Sequence, residues 1–384
     1  MRKNSDIPLG YKDSSIGIIP EDWEVNRLGE ICTHFKSGVT ITSKDISSIG
    51  LYPVYGGNGL RGYCDTFTHN GQFILIGRQG ALCGNINYVE GKSYVSEHAI
   101  AVQTSCNIQW LKYKLENWDL NRFSESSAQP GLSVEKLVRY RLSVPSLHEQ
   151  DVISEVLQTW DLAILKQEEL IEKLTLRKRG LMQRLLTGKK RLPGFTGEWK
   201  QIKLGDVFDE RNETNCVNLP LLSITADKGV IYQTDSDKRD ISNEDKSKYK
   251  RICPFDIGYN TMRMWQGRSA LSMLEGIVSP AYTIVTPRDA VDVRFMAMHI
   301  KEPNVVHKFW EHSQGLVSDT LNCKFPDFCQ VKVMLPPKNE QTKIANLIET
   351  IEHELLLENK KLTSLQSQKR GLMQQLLTGK KRIV

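Results

Sequence analysis

Arginine, asparagine and glutamine stand beside glycine at repeated places in this chain. Asn58, Arg61, Arg78, Gln79 and Asn85 lie in or near GGNG (56–59) and GRQG (77–80). Asn260, Arg263, Gln266 and Arg268 crowd the stretch YNTMRMWQGR (259–268). Two polar loops, SSAQPGLS (126–133) and SQGLVSD (313–319), add Gln129 and Gln314 at matching places. These side chain types make the paired hydrogen bonds that read guanine and adenine edges. Any one of them taken alone reads sooner as a turn residue or a surface charge than as a base reader, so the set matters more than its members. GGNG can bring backbone close to a ligand or simply make a tight turn.

Catalytic chemistry is not written here. No [ND]PP[YF] and no glycine-rich strand–helix turn for a methyl donor occurs, and no GxxxxGK[ST] for ATP. Glu244-Asp245-Lys246 is an ExK triplet without a suitable Pro-Asp pair before it. The eight histidines form no HxxxH pair, and the eight cysteines form no CxxC. They read as reduced thiols, not as a disulfide frame or zinc site. A solvated loop is the plainer reading of each of these stretches. The expectation is therefore a chain with no catalytic, cofactor or metal site of its own.

The polar residues need elements to hold them. Residues 52–63, 73–89 and 98–104 are short β-like runs split by glycine, and a helix is expected at 109–119. Residues 219–232 and 255–287 repeat that texture, with a helix expected near 293–301. Both stretches read as α+β heads.

The heads are tied to a repeat. Residues 178–191 read KRGLMQRLLTGKKR and residues 369–382 read KRGLMQQLLTGKKR. The same register carries Pro145 onto Pro336 and Glu149-Gln150 onto Glu340-Gln341. Each head opens alike, with Trp23 before Leu28-Gly29-Glu30 and Trp199 before Leu204-Gly205-Asp206. The second copy is longer between its Trp and its Pro. A duplicated frame with divergent middles implies one scaffold presenting two surfaces.

Ahead of each repeated motif runs an apolar a/d seam. In the first it is Ile153, Leu157, Trp160, Ile164, Ile171, Leu174, Leu181 and Leu185, with polar steps at Gln167 and Lys178. In the second it is Ile344, Ile348, Ile351, Leu355, Leu362, Leu365, Leu372 and Leu376, with polar steps at Glu358 and Lys369. Alternating steps of three and four over about five heptads predict a coiled coil. Polar seam residues specify register and partner. Each arm would reach roughly 57 Å. Gly188 and Gly379 are the expected helix stops, and Pro145 and Pro336 stand before the helices begin. Arg177, Lys178, Arg179, Arg184, Lys189, Lys190 and Arg191 make one basic cluster, and Lys369, Arg370, Lys380, Lys381 and Arg382 another. Such clusters suit a helix C-terminus or a phosphate backbone equally.

A net charge of +6 permits a polyanionic partner without requiring one. No apolar run is long enough for a membrane span, and MRKNSDIPLG lacks a secretory apolar stretch. A cytoplasmic protein is expected.

The ordered set resembles the specificity subunit of type I restriction-modification systems. The residues that carry the likeness are Trp23…Leu28-Gly29-Glu30, Tyr52-Pro53-Val54-Tyr55-Gly56-Gly57-Asn58-Gly59, Gly77-Arg78-Gln79-Gly80, Pro145…Glu149-Gln150 and Lys178–Gln183. Their second-half counterparts are Trp199…Leu204-Gly205-Asp206, Tyr259–Arg263, Ser279–Tyr282, Pro336…Glu340-Gln341 and Lys369–Gln374. No single motif is decisive; the order of head, arm, head, arm is. The resemblance implies two α/β target recognition domains (1–145 and 192–336). It implies two helical spacer arms (146–191 and 337–384) paired as an antiparallel coiled coil with pseudo-two-fold repeat. It implies that each head reads half of a split, asymmetric site in double-stranded DNA. The arms would set the spacing and dock two methyltransferase subunits. Those partners would bind S-adenosylmethionine, and motor-nuclease subunits would use ATP and Mg. The rival readings are a coiled-coil adaptor without DNA specificity and the recognition module of a fused nuclease or methyltransferase. The repeat leaves little room for a fused catalytic domain.

Overall fold

The computed structural model describes residues 7–80, 82–124, 131–225, 228–236, 244–315 and 320–383. The chain divides into two compact units, residues 1–169 with 360–384 and residues 170–359. Both divisions fall inside long helices, so each unit owns one head, part of one arm and part of the other.

The first unit runs β1 (Tyr11–Ser14), β2 (Gly17–Pro20), β3 (Glu24–Arg27), β4 (Cys32–Ser37), β5 (Tyr52–Gly56), β6 (Gly59–Cys64), β7 (His69–Gly77), β8 (Ile86–Val95), β9 (Ala99–Thr104), α1 (Ile108–Asn117), α2 (Val134–Leu137) and β10 (Arg141–Val144), then enters α3 (Leu147–Leu185). Six strands form one sheet in the order β4-β9-β7-β8-β5-β6, antiparallel except where β5 meets β8. Period-two alternation sends Ile74, Ile76, Ile100 and Val102 to one face, where they join Trp110, Leu111 and Leu115 of α1. Phe73, Leu75, Val89 and Ala101 form a second, smaller cluster on the other. Asn107 caps α1 by accepting from Trp110 N at 2.9 Å.

The second unit holds β11 (Lys200–Lys203), β12 (Phe208–Arg211), β13 (Leu222–Ile224), β14 (Val230–Tyr232), β15 (Lys250–Ile252), β16 (Ile257–Asn260), β17 (Ser269–Leu271), β18 (Gly276–Val278), β19 (Tyr282–Pro287), α4 (Val293–His299), α5 (Pro303–His312), α6 (Phe325–Gln330) and β20 (Lys332–Leu335), followed by α7 (Lys338–Leu376). Its main sheet is smaller, β12-β19-β16-β17. Phe208, Tyr259, Val285, Phe295, Phe309 and Phe328 fill its core. The helix expected near 293–301 is α4, and a second helix, α5, follows it where Pro303 starts a fresh turn and Glu302 caps it.

α3 and α7 each have 39 residues, about 58 Å at 1.5 Å per residue. Within the first unit the start of α3 lies beside the end of α7. Ile153 and Leu157 share a core with Met373, Leu376 and Leu377, and Asp161 pairs with Lys369. Within the second unit the end of α3 lies beside the start of α7. Leu185 shares a core with Ile344 and Ile348, Leu181 packs against that core, and Lys178 pairs with Glu352 at 2.7 Å. Partner numbers fall along one helix as they rise along the other, so the pairing is antiparallel. Every residue of the expected seam is buried or half-buried, and none is exposed. Lys178 and Lys369, two of the four polar steps, occupy equivalent positions and both hold carboxylates of the facing helix.

Both helices stop as glycine allows. Gly188 and Gly379 have φ of 72°. Lys190 N donates to Arg184 O at 3.0 Å, and Lys381 N to Gln375 O at 3.2 Å. Gly188 N also donates to Leu185 O at 3.4 Å and Gly379 N to Leu376 O at 3.2 Å, the five-to-two bonds of a left-handed glycine stop.

Candidate nucleic-acid interface

Each unit fastens the same three things together: a head, the start of one arm and the end of the other. In the first, Gln150 donates to Pro145 O at 2.9 Å and accepts from Asn107 N at 2.8 Å. In the second, Gln341 donates to Pro336 O at 2.8 Å and accepts from Asp292 N at 3.0 Å. The Glu of the Glu-Gln pair takes an arginine from the far end of the other arm. Arg191 donates to both oxygens of Glu340 at 2.7 and 2.6 Å. Arg382 reaches Glu149 at 2.6 Å and Asp22 at 2.8 Å. Trp23 adds a bond to Glu149 at 2.8 Å. Glu340 and Glu149 are almost wholly sealed from water, so removing either arginine strands a buried charge.

A buried base lies beneath each arm end. Lys114 donates to Leu377 O at 2.5 Å and to Ser143 Oγ at 3.1 Å. Complete burial pushes its ammonium down to about 7. His299 holds the corresponding place in the second unit, stacked on Phe295 at 5.3 Å. Burial pushes its imidazole down to about 4. Neither residue was legible as special in the sequence, because the partner of each is far along the chain.

The sequence-selected polar residues of the first head gather at one end of its sheet. Gly57 and Gly77 bring their strands so close that a Cβ on Gly77 would stand 2.5 Å from Gly57 O. GGNG therefore serves backbone packing between strands. Around that contact lie Asn58 and Asn85, both exposed, and Arg61, whose stem crosses Gly56. Arg78 N donates to His98 O at 2.9 Å, and Gln79 Oε1 lies 3.2 Å from His98 Nδ1. Gln79 also bridges to Gly131. Gln129 lies outside the described residues.

In the second head one turn holds Asn260, Arg263, Gln266 and Arg268. Asn260 N donates to Arg268 O at 3.0 Å, and Arg263 N to Asn260 O at 3.0 Å. Asn260 Oδ1 accepts from Met262 N at 3.0 Å, so this side chain shapes the turn. Gln266 and Arg268 are exposed, while Arg263 is half-buried. Gln314 pairs in backbone with Asn322 and donates to Asp327 at 2.9 Å. Thr261 O accepts from Cys323 N at 2.9 Å and joins the two loops.

The basic clusters split in two. Lys178, Arg191, Lys369 and Arg382 are committed to ion pairs. Arg177, Arg179, Arg184, Lys189, Lys190, Arg370, Lys380 and Lys381 are exposed. Among the described residues there is no cluster of three metal-ligating side chains. No helix among them is long and apolar enough to cross a membrane.

Residues 20–176 match the family model described as the type I restriction modification DNA specificity domain. The specificity subunit of the EcoprrI type I restriction enzyme from Escherichia coli is 40% identical over 160 residues. That match spans 39% of this chain and 39% of the relative. The putative MjaX specificity subunit of Methanocaldococcus jannaschii is 23% identical and is matched over 97% of both chains. Among solved structures, the S subunit of a type I system from M. genitalium superposes with a TM-score of 0.59 at 13% identity, over 98% of both chains. A chain from a structure concerned with complex assembly and conformational transition of the type I system gives 0.57 at 14% identity, over 94% of this chain and 99% of that one. These last two likenesses speak to the fold.

Proposed function

We propose that this chain, a type I restriction-modification specificity subunit by its DNA specificity domain and its fold, supplies sequence recognition and no catalysis to a larger complex. Each head reads one half of a divided site in double-stranded DNA. The observation that carries this reading is the contrast between frame and loops. The Glu-Gln clasp, the arm stop and the ion pair at the lysine seam step recur position for position. The polar turns at 56–85 and 260–268 share neither sequence nor strand context. A common mount with unlike polar faces fits an asymmetric site.

Phosphate contacts from exposed cations would position each head, and base-edge contacts from Arg78, Gln79, Gln266 and Arg268 would specify. The arms would dock two methyltransferase subunits. Exposed Leu162 and Leu165 on α3, and Leu356 and Leu357 on α7, supply apolar surface for that purpose. S-adenosylmethionine, ATP and Mg would be held by the methyltransferase and motor-nuclease partners. The test is base-resolution mapping of methylated adenine in cells with and without the gene. One two-part motif that disappears on deletion is expected, and exchange of residues 23–145 should rewrite one half alone. Rewriting of both halves would refute the modular reading.

A further inference from the structure

Three loops of the first head meet at His98. Its carbonyl oxygen accepts from Arg78 N at 2.9 Å, and a Cβ on Gly57 would stand 2.8 Å from that same oxygen. Ala99 N donates to Ser96 O at 3.0 Å and closes the tight turn that carries the residue. The ring is half-exposed and is engaged at both nitrogens. Nε2 lies 3.3 Å from Glu97 Oε1, and Nδ1 lies 3.2 Å from Gln79 Oε1. Gln79 is exposed, and its backbone is held by the bridge to Gly131. We propose that His98 is a positioning residue whose ring protons decide which end of the Gln79 carboxamide faces outward, and so which kind of base edge Gln79 reads. This rests on the base-reading role given to Gln79 above.

The donor and acceptor inventory leaves two arrangements. A carboxylate only accepts, so contact with Glu97 requires a hydrogen on Nε2. With a second hydrogen on Nδ1, the ring donates on both sides. Gln79 then turns its oxygen to the ring, as in this structure, and shows its NH2 outward. With Nδ1 bare, that nitrogen can only accept. The carboxamide then turns over, gives an N–H to the ring and shows its oxygen outward. An outward NH2 donates to the keto oxygens of guanine and thymine; an outward oxygen accepts from the amino groups of cytosine and adenine. Imidazoles exchange this second proton between about pH 5 and 8. Besides Glu97, whose other oxygen accepts from Ile41 N at 3.3 Å, the charged groups around the ring are Arg78 on the neighbouring turn and Arg61, whose stem crosses Gly56.

The second head supplies an internal control. Gln314 donates to Asp327 at 2.9 Å. A carboxylate partner accepts from an amide and never donates to it, so this carboxamide has one orientation while Asp327 stays ionised. The proton-linked change is therefore expected in the first half of the site alone.

The experiment has two arms on the full-length chain. In the first, the chain is labelled with nitrogen-15 in histidine and glutamine and titrated by NMR without DNA. The Gln79 side-chain amide should shift together with protonation of His98 Nδ1, at one midpoint. Glu97→Gln, whose amide can either donate or accept, frees the ring tautomer and should uncouple the two. A Gln79 amide that stays still while His98 titrates overturns the proposal. In the second arm, duplexes carry the mapped site, with each first-half position exchanged between keto and amino bases, at about pH 6 and about pH 8. At one position the keto-to-amino preference should change about fivefold or more between the two, the scale of one base-edge contact. His98→Lys only donates and stays charged, so it should hold the low-pH preference at both. Equal preferences at both pH values, a change of preference that persists in His98→Lys, or a uniform loss of affinity for every duplex in that variant overturns the proposal. Coupled titration in the first arm with no duplex bound at either pH supports the positioning and counts against DNA reading instead.

Discussion

Ending translation after residue 195 gives the sharpest test of how the first unit is built. That unit takes residues 360–384 from the far end of the chain. Their removal uncovers the places of Met373, Leu376 and Leu377, all buried. Burying such side chains contributes about 1.5–3 kcal/mol each, so on the order of 5–9 kcal/mol is lost. Glu149 would also lose Arg382 and stay buried, at a cost of about 3–5 kcal/mol. The total rivals the roughly 5–15 kcal/mol by which a whole domain is stable. A lone half-chain should therefore not fold. Yet it ends in Met182, Leu185, Leu186 and Arg191, residue types identical to Met373, Leu376, Leu377 and Arg382 at the same spacing. Two copies can exchange these ends, each completing the other's unit. The expected result is a dimer by light scattering, with a melting midpoint that rises with protein concentration. Leu186→Asp in the half-chain should abolish it. A folded monomer with a concentration-independent melt would refute the reasoning.

Arg191→Ala should lower the urea midpoint for unfolding of the second unit, since Glu340 is wholly buried beneath it; an unchanged midpoint would contradict the clasp. The His299 imidazole sits near 4 in the fold and 6.5 unfolded, so its stabilising share is complete above 6.5 and fades as pH falls toward 4. Acid should cost about 3 kcal/mol across that window, and His299→Phe should flatten the pH dependence of the melt. Exchanging charges at the arm pair with Lys369→Asp and Asp161→Lys together should restore most of what either change loses alone, as read from a double-mutant cycle. Arg268→Ala should relax one position in one half of the methylated motif and leave the other half unchanged, as read from methylation mapping.

The arms were the most legible part of this chain. Their seam is a local pattern of period three and a half, and local patterns survive in sequence. The glycine stops were legible for the same reason, because a left-handed residue after a helix leaves glycine little competition. Glu149-Gln150 and Glu340-Gln341 were visible as a repeated pair without a role. Their partners, Arg382, Asn107, Arg191 and Asp292, are distant in sequence, and no spacing rule joins them. Lys114 and His299 were hidden altogether, since Lys114 answers to a carbonyl at the end of the opposite arm and His299 to the core that encloses it. Among the polar turns, sequence could not separate Asn260, whose side chain holds its own turn, from Arg268, which is exposed.

The two units show which parts of the duplicated frame are fixed and which drift. Arginine to buried glutamate is kept in both, as is glutamine across the Pro carbonyl and the helix start. Elsewhere the chemistry has been exchanged while the place is kept. Trp23 donates to Glu149, whereas the Trp199 indole N–H is sealed without a hydrogen-bond partner among the described residues. Lys114 spans to the arm carbonyl, whereas His299 stacks on Phe295. The kept contacts are all centred on the Glu-Gln pair at an arm start, and the exchanged ones bring in side chains of the head. Such a division follows if the heads change with the sequence they read while the arms must continue to fit each other and their partners.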